Sequence, residues 1–153
     1  MLIIASFEDL APLIGRHLGY STHHQITQER VDLFSEATGD RQWIHVDPER
    51  ATAGPFGGTI AHGYLTLSLG PTLIHDRVTW QNIRMGVNYG LNKVRFPSPV
   101  PVGSTIRLGA FLAGAESLAD GGVQVALDLT FEVDGSTKPA CVAELLLRYY
   151  FGE

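Results

Sequence analysis

The stretch Gly63–Val78, GYLTLSLGPTLIHDRV, decides how the chain folds. It is apolar nearly all round for about four turns at 3.6 residues per turn, which marks a helix enclosed on most sides. Pro71 within it predicts a kink or a limit to the regular part, because proline lacks the N–H that a helix interior uses. Such a helix needs other elements to cover it.

The half that follows supplies strands. Ile83–Phe96 (IRMGVNYGLNKVRF) alternates Met85, Val87, Tyr89 and Leu91, then changes phase to Val94 and Phe96, which predicts a strand bent by a bulge near Asn92. Thr105–Leu112 places Ile106, Leu108, Ala110 and Leu112 on one face. Val123–Val133 (VQVALDLTFEV) is a strict alternation, and Asp134-Gly135 gives a turn before a last strand over Ala140–Phe151. Short turn-like connections make these neighbours antiparallel.

Upstream, Phe7–Ile14 has helical spacing with Ser6 as N-cap and Gly15 as stop, and Tyr20–Ile26 (YSTHHQI) is weakly strand-like. A second helix starts at Thr27 as cap, carries Val31, Phe34 and Ala37 three apart, and ends at Gly39. A brief helical turn (PERATA) follows at Pro48, and the run AGPFGGTIAHG holds no regular element. The sum is an α+β domain in which an antiparallel sheet wraps a central helix.

Composition narrows the function. A chain of 153 residues suits one domain over residues 1–153, and 44% hydrophobic against 18% charged residues argues for a globular protein with a large apolar interior. The apolar fraction exceeds what a small monomer needs and predicts a subunit interface. A net charge of −5 without basic runs disfavours nucleic acid. The single cysteine, Cys141, offers neither a disulfide framework nor a cysteine metal cluster, and fits a reducing setting. MLIIASFEDL is too short an apolar run for a signal peptide, and no stretch reaches membrane-spanning length. The expected location is the cytoplasm.

The chemistry is concentrated in Ala37–Asp47, ATGDRQWIHVD. Asp40 and His45 on a continuous helix would point about 140° apart. Because Gly39 ends the helix before them, an irregular turn can bring both side chains to one spot, with Trp43 and Ile44 as apolar anchors. A carboxylate beside an imidazole can orient and deprotonate a water, since the imidazole titrates near neutrality. The bland alternatives, an Asx-turn aspartate and a hydrogen-bonded loop histidine, stay open on these residues alone. In GGTIAHGYL a glycine-rich approach meets the start of the central helix, where the Gly63 N–H can hold a carbonyl oxygen that gains negative charge. Glycines serving only a tight turn are an equal reading there. His62 reads best as a helix N-terminal residue bonded to backbone.

FSEATGDRQWIHVDPERA resembles the hydratase signature of the MaoC-like dehydratases, or R-specific enoyl-CoA hydratases, approximately Ser/Thr-Gly-Asp-x-Asn-Pro-Ile/Leu-His followed by an Asp and an Ala. TIAHGYLTLSL is similar to that family's Val/Ile-x-His-Gly-Met segment. The two motifs, in order and followed by the strand half, span nearly the whole chain. Gln42-Trp43 replaces the family's Asn-Pro, in a form similar to the subgroup related to nodulation protein N.

The resemblance implies a hot-dog fold, a long helix wrapped by an antiparallel sheet, paired as a homodimer. It implies Asp40 and His45 as the catalytic pair and Gly63 as an oxyanion-hole donor, with no metal or organic cofactor. The implied reaction is hydration of a trans-2-enoyl thioester to the R-3-hydroxyacyl thioester, and its reverse. The implied substrate is an acyl-CoA or acyl-carrier-protein thioester. Arg84, Lys93 and Arg95 are candidates to meet coenzyme A phosphates, and Tyr64 and Tyr89 to line an acyl tunnel, each weighed against an ordinary strand-face or core role. Three rivals remain: a thioesterase on the same fold, a noncatalytic acyl-thioester binder, and a metal site from His45, Asp47 and His62.

Overall fold

The computed structural model describes residues 1–152. Its frame is a six-stranded antiparallel sheet in the order β2-β6-β7-β8-β5, with β3 also pairing β6. These are β2 (Arg16–Tyr20), β3 (His24–Gln25), β5 (Ile83–Arg95), β6 (Thr105–Ser117), β7 (Val123–Val133) and β8 (Cys141–Phe151). The alternation in β7 sets its burial: Val123, Val125, Leu127, Leu129, Phe131 and Val133 all face the core. In β6 the expected face, Ile106, Leu108, Ala110 and Leu112, is likewise buried.

The central helix comes as two segments, α5 (Gly63–Ser68) and α6 (Gly70–Ile74). Leu69 between them keeps right-handed helical angles, and the break falls two residues before Pro71, whose nitrogen has no hydrogen to donate. Gly70 lets the helix press onto the sheet: a Cβ there would lie 3.2 Å from the Leu129 side chain. Leu65, Thr66, Leu73 and Ile74 are buried. Two expectations change here. Val78 leaves the helix for β4 (Val78–Trp80), and one helix flank stays open, with Tyr64 69% exposed.

That open flank adjoins β5, an edge strand of the sheet. The expected bulge is present, the register shifting between Leu91 and Lys93, with two more shifts nearer the start. The apolar alternation of Met85, Val87, Tyr89 and Leu91, however, faces outward and is exposed.

The remaining elements are short. β1 (Leu2–Ile4) pairs in parallel with β4, a two-stranded sheet that runs too short for periodicity to announce. The first helix is α1 (Phe7–Leu10), continued by a 3-10 turn over Ala11–Leu13, and Asp9 accepts from the Ser6 N–H at 3.1 Å. The second is α2 (Gln28–Thr38), capped by Thr27 and ended by Gly39 at φ 78°. Its buried stripe is Val31 and Ser35, with Phe34 half-buried; Ala37 faces solvent, contrary to the three-residue spacing. Two further turns, α3 (Trp43–Val46) and α4 (Pro48–Thr52), follow.

Candidate active site

The turn after α2 does what the order of residues suggested. Gly39 stops the helix, Asp40 to Gln42 are irregular, and α3 then presents His45 inward, where it is 6% exposed. Trp43 packs on the other side. Its ring lies under the Arg50 guanidinium at 4.4 Å and against Gly54, where a Cβ would come within 2.9 Å of the indole. The indole thus locks α3 to α4 and takes no part in lining the cavity beside His45. Asp47 serves as the α4 cap, accepting from the Arg50 N–H at 3.0 Å, so it belongs to no metal cluster with His45 and His62.

His45 is fixed at both ends. Its Nδ1 lies 2.7 Å from the Ile60 carbonyl oxygen, and a carbonyl only accepts, so Nδ1 carries the hydrogen. In the neutral ring Nε2 is then left as the basic nitrogen. The backbone carbonyl of His45 accepts from Gln28 Nε2 at 2.7 Å, and Gln28 Oε1 accepts from the Thr59 hydroxyl at 2.6 Å. Burial pushes the His45 pKa below its ordinary 6.5, with His62 adding to that; the Ile60 bond and the Asp40 charge oppose it. The ring is therefore neutral, and able to accept a proton, at neutral pH.

Asp40 is exposed, but its backbone is held firmly. Its carbonyl accepts from the Ser35 hydroxyl at 2.6 Å and faces His62 Nε2 at 3.0 Å. Asp40, His45 and His62 each bring one polar side-chain atom within 4.8 Å of the others. No direct bond joins Asp40 to His45 among the described residues, and a separation of this order suits one water bonded to both. The same three residues invite a cation. The His45 and His62 rings, however, stack with centroids 3.9 Å apart and planes 24° from parallel, so their in-plane lone pairs run side by side and do not converge as a tetrahedral site requires.

His62 acts as the sequence reading preferred, bonded to backbone, with its ring held between Phe34 and His45. Gly63 opens α5, where a first-turn N–H has no carbonyl four residues back to bond. A Cβ at Gly63 would meet the Phe96 ring at 3.0 Å. His45, Gly63, Thr66 and Phe96, with the Pro97–Val100 segment, line one cavity of about 270 Å³. Of the three residues expected from the sequence, His45 and Gly63 line this cavity, and Asp40 lies beside His45 without being among its lining residues.

Other expectations do not. Arg84, Lys93 and Arg95 are exposed on β5 and none lines this cavity. Lys93 shares a shallow depression with Asp128 and Glu144, whose carboxylates oppose an anion there. Tyr64 and Tyr89 do not line this cavity and are not in the core of the single chain: both are more than half exposed, and Tyr89 lies 3.4 Å under the Arg148 guanidinium. Sequence reasoning missed Gln28, Ser35 and Thr66. The available signal was a hydroxyl on an apolar stripe, Ser35 four after Val31 and Thr66 beside Leu65.

With this geometry the family can be stated: the chain belongs to the MaoC like domain family, which it matches over residues 9–132. The hot-dog architecture is shared with a solved monoamine oxidase regulatory protein from Archaeoglobus fulgius, at TM-score 0.79 and 22% identity over 99% of this chain and 97% of that one. Among curated relatives, 3-hydroxyacyl-thioester dehydratase Z of Mycobacterium tuberculosis is 56% identical over 149 residues, 97% of this chain and 99% of the relative. Nodulation protein N of Rhizobium meliloti is 40% identical over 140 residues, 90% of this chain and 87% of the relative.

Proposed function

We propose that the protein is a 3-hydroxyacyl-thioester dehydratase, a hydro-lyase of fatty acid metabolism that also runs in reverse as an R-specific enoyl-CoA hydratase. The likeness to the mycobacterial dehydratase over nearly both whole chains supports the reaction class. The observation that carries the mechanism is the pairing of the Asp40 carboxylate with a buried, neutral His45 beside the Gly63 N–H.

Asp40 and His45 hold one water between them. Its oxygen forms a bond to the β-carbon as His45 Nε2 takes its proton, and the π electrons move toward the thioester carbonyl. That oxygen gains negative charge beside the Gly63 N–H, where one such donor is worth about 3 kcal/mol in the transition state. A proton then returns to the α-carbon on the same face and leaves the R-3-hydroxyacyl thioester. Dehydration retraces the steps. The thioester is carried by coenzyme A or by acyl carrier protein, and residues 1–153 work as one domain in the cytoplasm.

A homodimer completes the reading. An edge strand carrying exposed Met85, Val87, Tyr89 and Leu91, next to exposed Tyr64, offers a second copy an apolar seam. Light scattering coupled to size exclusion is expected to give twice the chain mass, and Val87→Lys with Leu91→Lys the single mass.

The enzymatic test is the ultraviolet absorbance of the conjugated enoyl thioester on mixing crotonyl-CoA or longer trans-2-enoyl-CoA with protein. The expected result is loss of absorbance, an R-3-hydroxy product, and a loss about 10²–10⁴-fold slower with Asp40→Asn. Release of free thiol with the double bond intact would make it a thioesterase, and binding without any turnover a carrier.

A further inference from the structure

Thr66 is 1% exposed, yet its Oγ1 has no hydrogen-bond partner among the described residues. A helical threonine commonly returns its hydroxyl to the carbonyl four residues back. Thr38 and Thr52 do so, each at 2.8 Å, and Ser68 at 2.6 Å. Thr66 does not; its own N–H alone reaches the His62 carbonyl, at 3.2 Å. A buried hydroxyl without a partner bears its full desolvation cost in the free protein, so its partner is to be sought in a ligand. Thr66 lines the cavity that holds His45 and Gly63. It stands three residues after Gly63, on the same helix face.

We infer that the Thr66 hydroxyl is a second hydrogen-bond donor to the substrate's thioester carbonyl oxygen, beside the Gly63 N–H. This rests on the reaction proposed above. The enolate oxygen is the strongest acceptor formed on that path, and a neutral O–H donor stabilises it without moving a proton. No bond to Thr66 is made or broken. Because the bond strengthens as charge develops, its effect falls on kcat more than on KM.

The test is Thr66→Val, which keeps the shape and removes only the hydroxyl, with Thr66→Ser as the variant that restores the donor. Wild-type turnover of crotonyl-CoA is measured first, since its failure would remove the reaction proposed above and not this residue alone. With wild type active, kcat of Thr66→Val is expected to fall about 10²-fold, with a smaller change in KM. Thr66→Ser is expected to keep most activity. The melting temperature of Thr66→Val is expected to equal or exceed that of wild type, because the lost hydroxyl had no protein partner. Wild-type kcat in Thr66→Val would overturn the assignment. So would a lowered melting temperature accompanying the loss, or a defect confined to KM for the 3-hydroxyacyl thioester, which would put the hydroxyl at the β-substituent.

Discussion

The rings of His45 and His62 stack at 3.9 Å, and each turns one nitrogen to a backbone carbonyl, His45 to Ile60 and His62 to Asp40. The stack therefore couples the position of the His45 ring to that of the Asp40 backbone, and so, in the proposed mechanism, of the base to the carboxylate. His62 reaches the Asp40 backbone across 22 residues of sequence. In the proposed mechanism it is a positioning residue.

His62→Phe keeps a ring in the stack but removes the bond to the Asp40 carbonyl, which the Ser35 hydroxyl continues to hold. Stability is expected to fall by about 1 kcal/mol. Turnover is expected to fall ~10–100-fold, because a small displacement of Asp40 spoils the water's alignment. Denaturant unfolding and steady-state kinetics on the same preparation check both numbers. An unchanged kcat would mean that Ser35 alone fixes the loop.

Asp40→Asn and His45→Gln are expected to lower kcat about 10²–10⁴-fold, the range for losing a positioned acid–base group. They differ in stability. The Asp40 side chain is exposed, so its asparagine variant is expected to melt with wild type. His45 is buried and bonds Ile60, so its replacement costs about 1–3 kcal/mol. Thermal melts paired with kinetics check the contrast, and near wild-type turnover in either variant removes that residue from the mechanism.

The pH dependence follows from His45. Its folded pKa lies below 6.5 because burial penalises the imidazolium. The acid limb of kcat/KM is therefore expected below 6.5, with activity retained in mildly acidic buffer. The stability sign is that of a depressed histidine. The unfolded chain takes up the proton first as pH falls through 6.5, so this contribution, present in full above 6.5, is lost as pH drops to the folded pKa. A kcat/KM profile with its acid limb above 6.5 would contradict it.

A second pH effect sits away from the site. Asp76 Oδ2 meets His24 Nε2 at 2.9 Å and the Thr22 hydroxyl at 2.6 Å, tying the β2–β3 connection to the end of α6. The His24 bond, then the Thr22 bond, holds the Asp76 pKa below its usual 3.8. A depressed carboxylate stabilises the fold above 3.8 and loses that contribution as pH falls through its folded value. Asp76→Asn is expected to melt below wild type at neutral pH, the difference closing in acid. The group is partly exposed, so the gap is small. A difference that persists unchanged in acid would assign the effect to packing instead.

The strands β6, β7 and β8 were readable because each is long and buries one face, so the period of two is written in full, as in Val123–Val133. That Asp40 lies near His45, and His45 beside the cavity that Gly63 lines, could be expected because the two motifs carry them. β1 and β4 were not, since three residues contain no period. Nor was the outward turn of Met85, Val87, Tyr89 and Leu91: alternation tells that one face of a strand is apolar, not what covers it.

The sequence by itself determined the α+β class, the helix with its strand wrapper, the end of α2 at Gly39 and the choice of Asp40 and His45 as the proposed pair. These are local properties of periodicity, capping and residue chemistry. Only the tertiary structure decided that His62 holds the Asp40 backbone, that Gln28 and Ser35 brace the pair from α2, and that Thr66, a lining residue of the His45 cavity, keeps a hydroxyl without a partner among the described residues. Each joins positions on different elements, or depends on which rotamer a packed neighbour permits. Spacing along the chain carries no record of either.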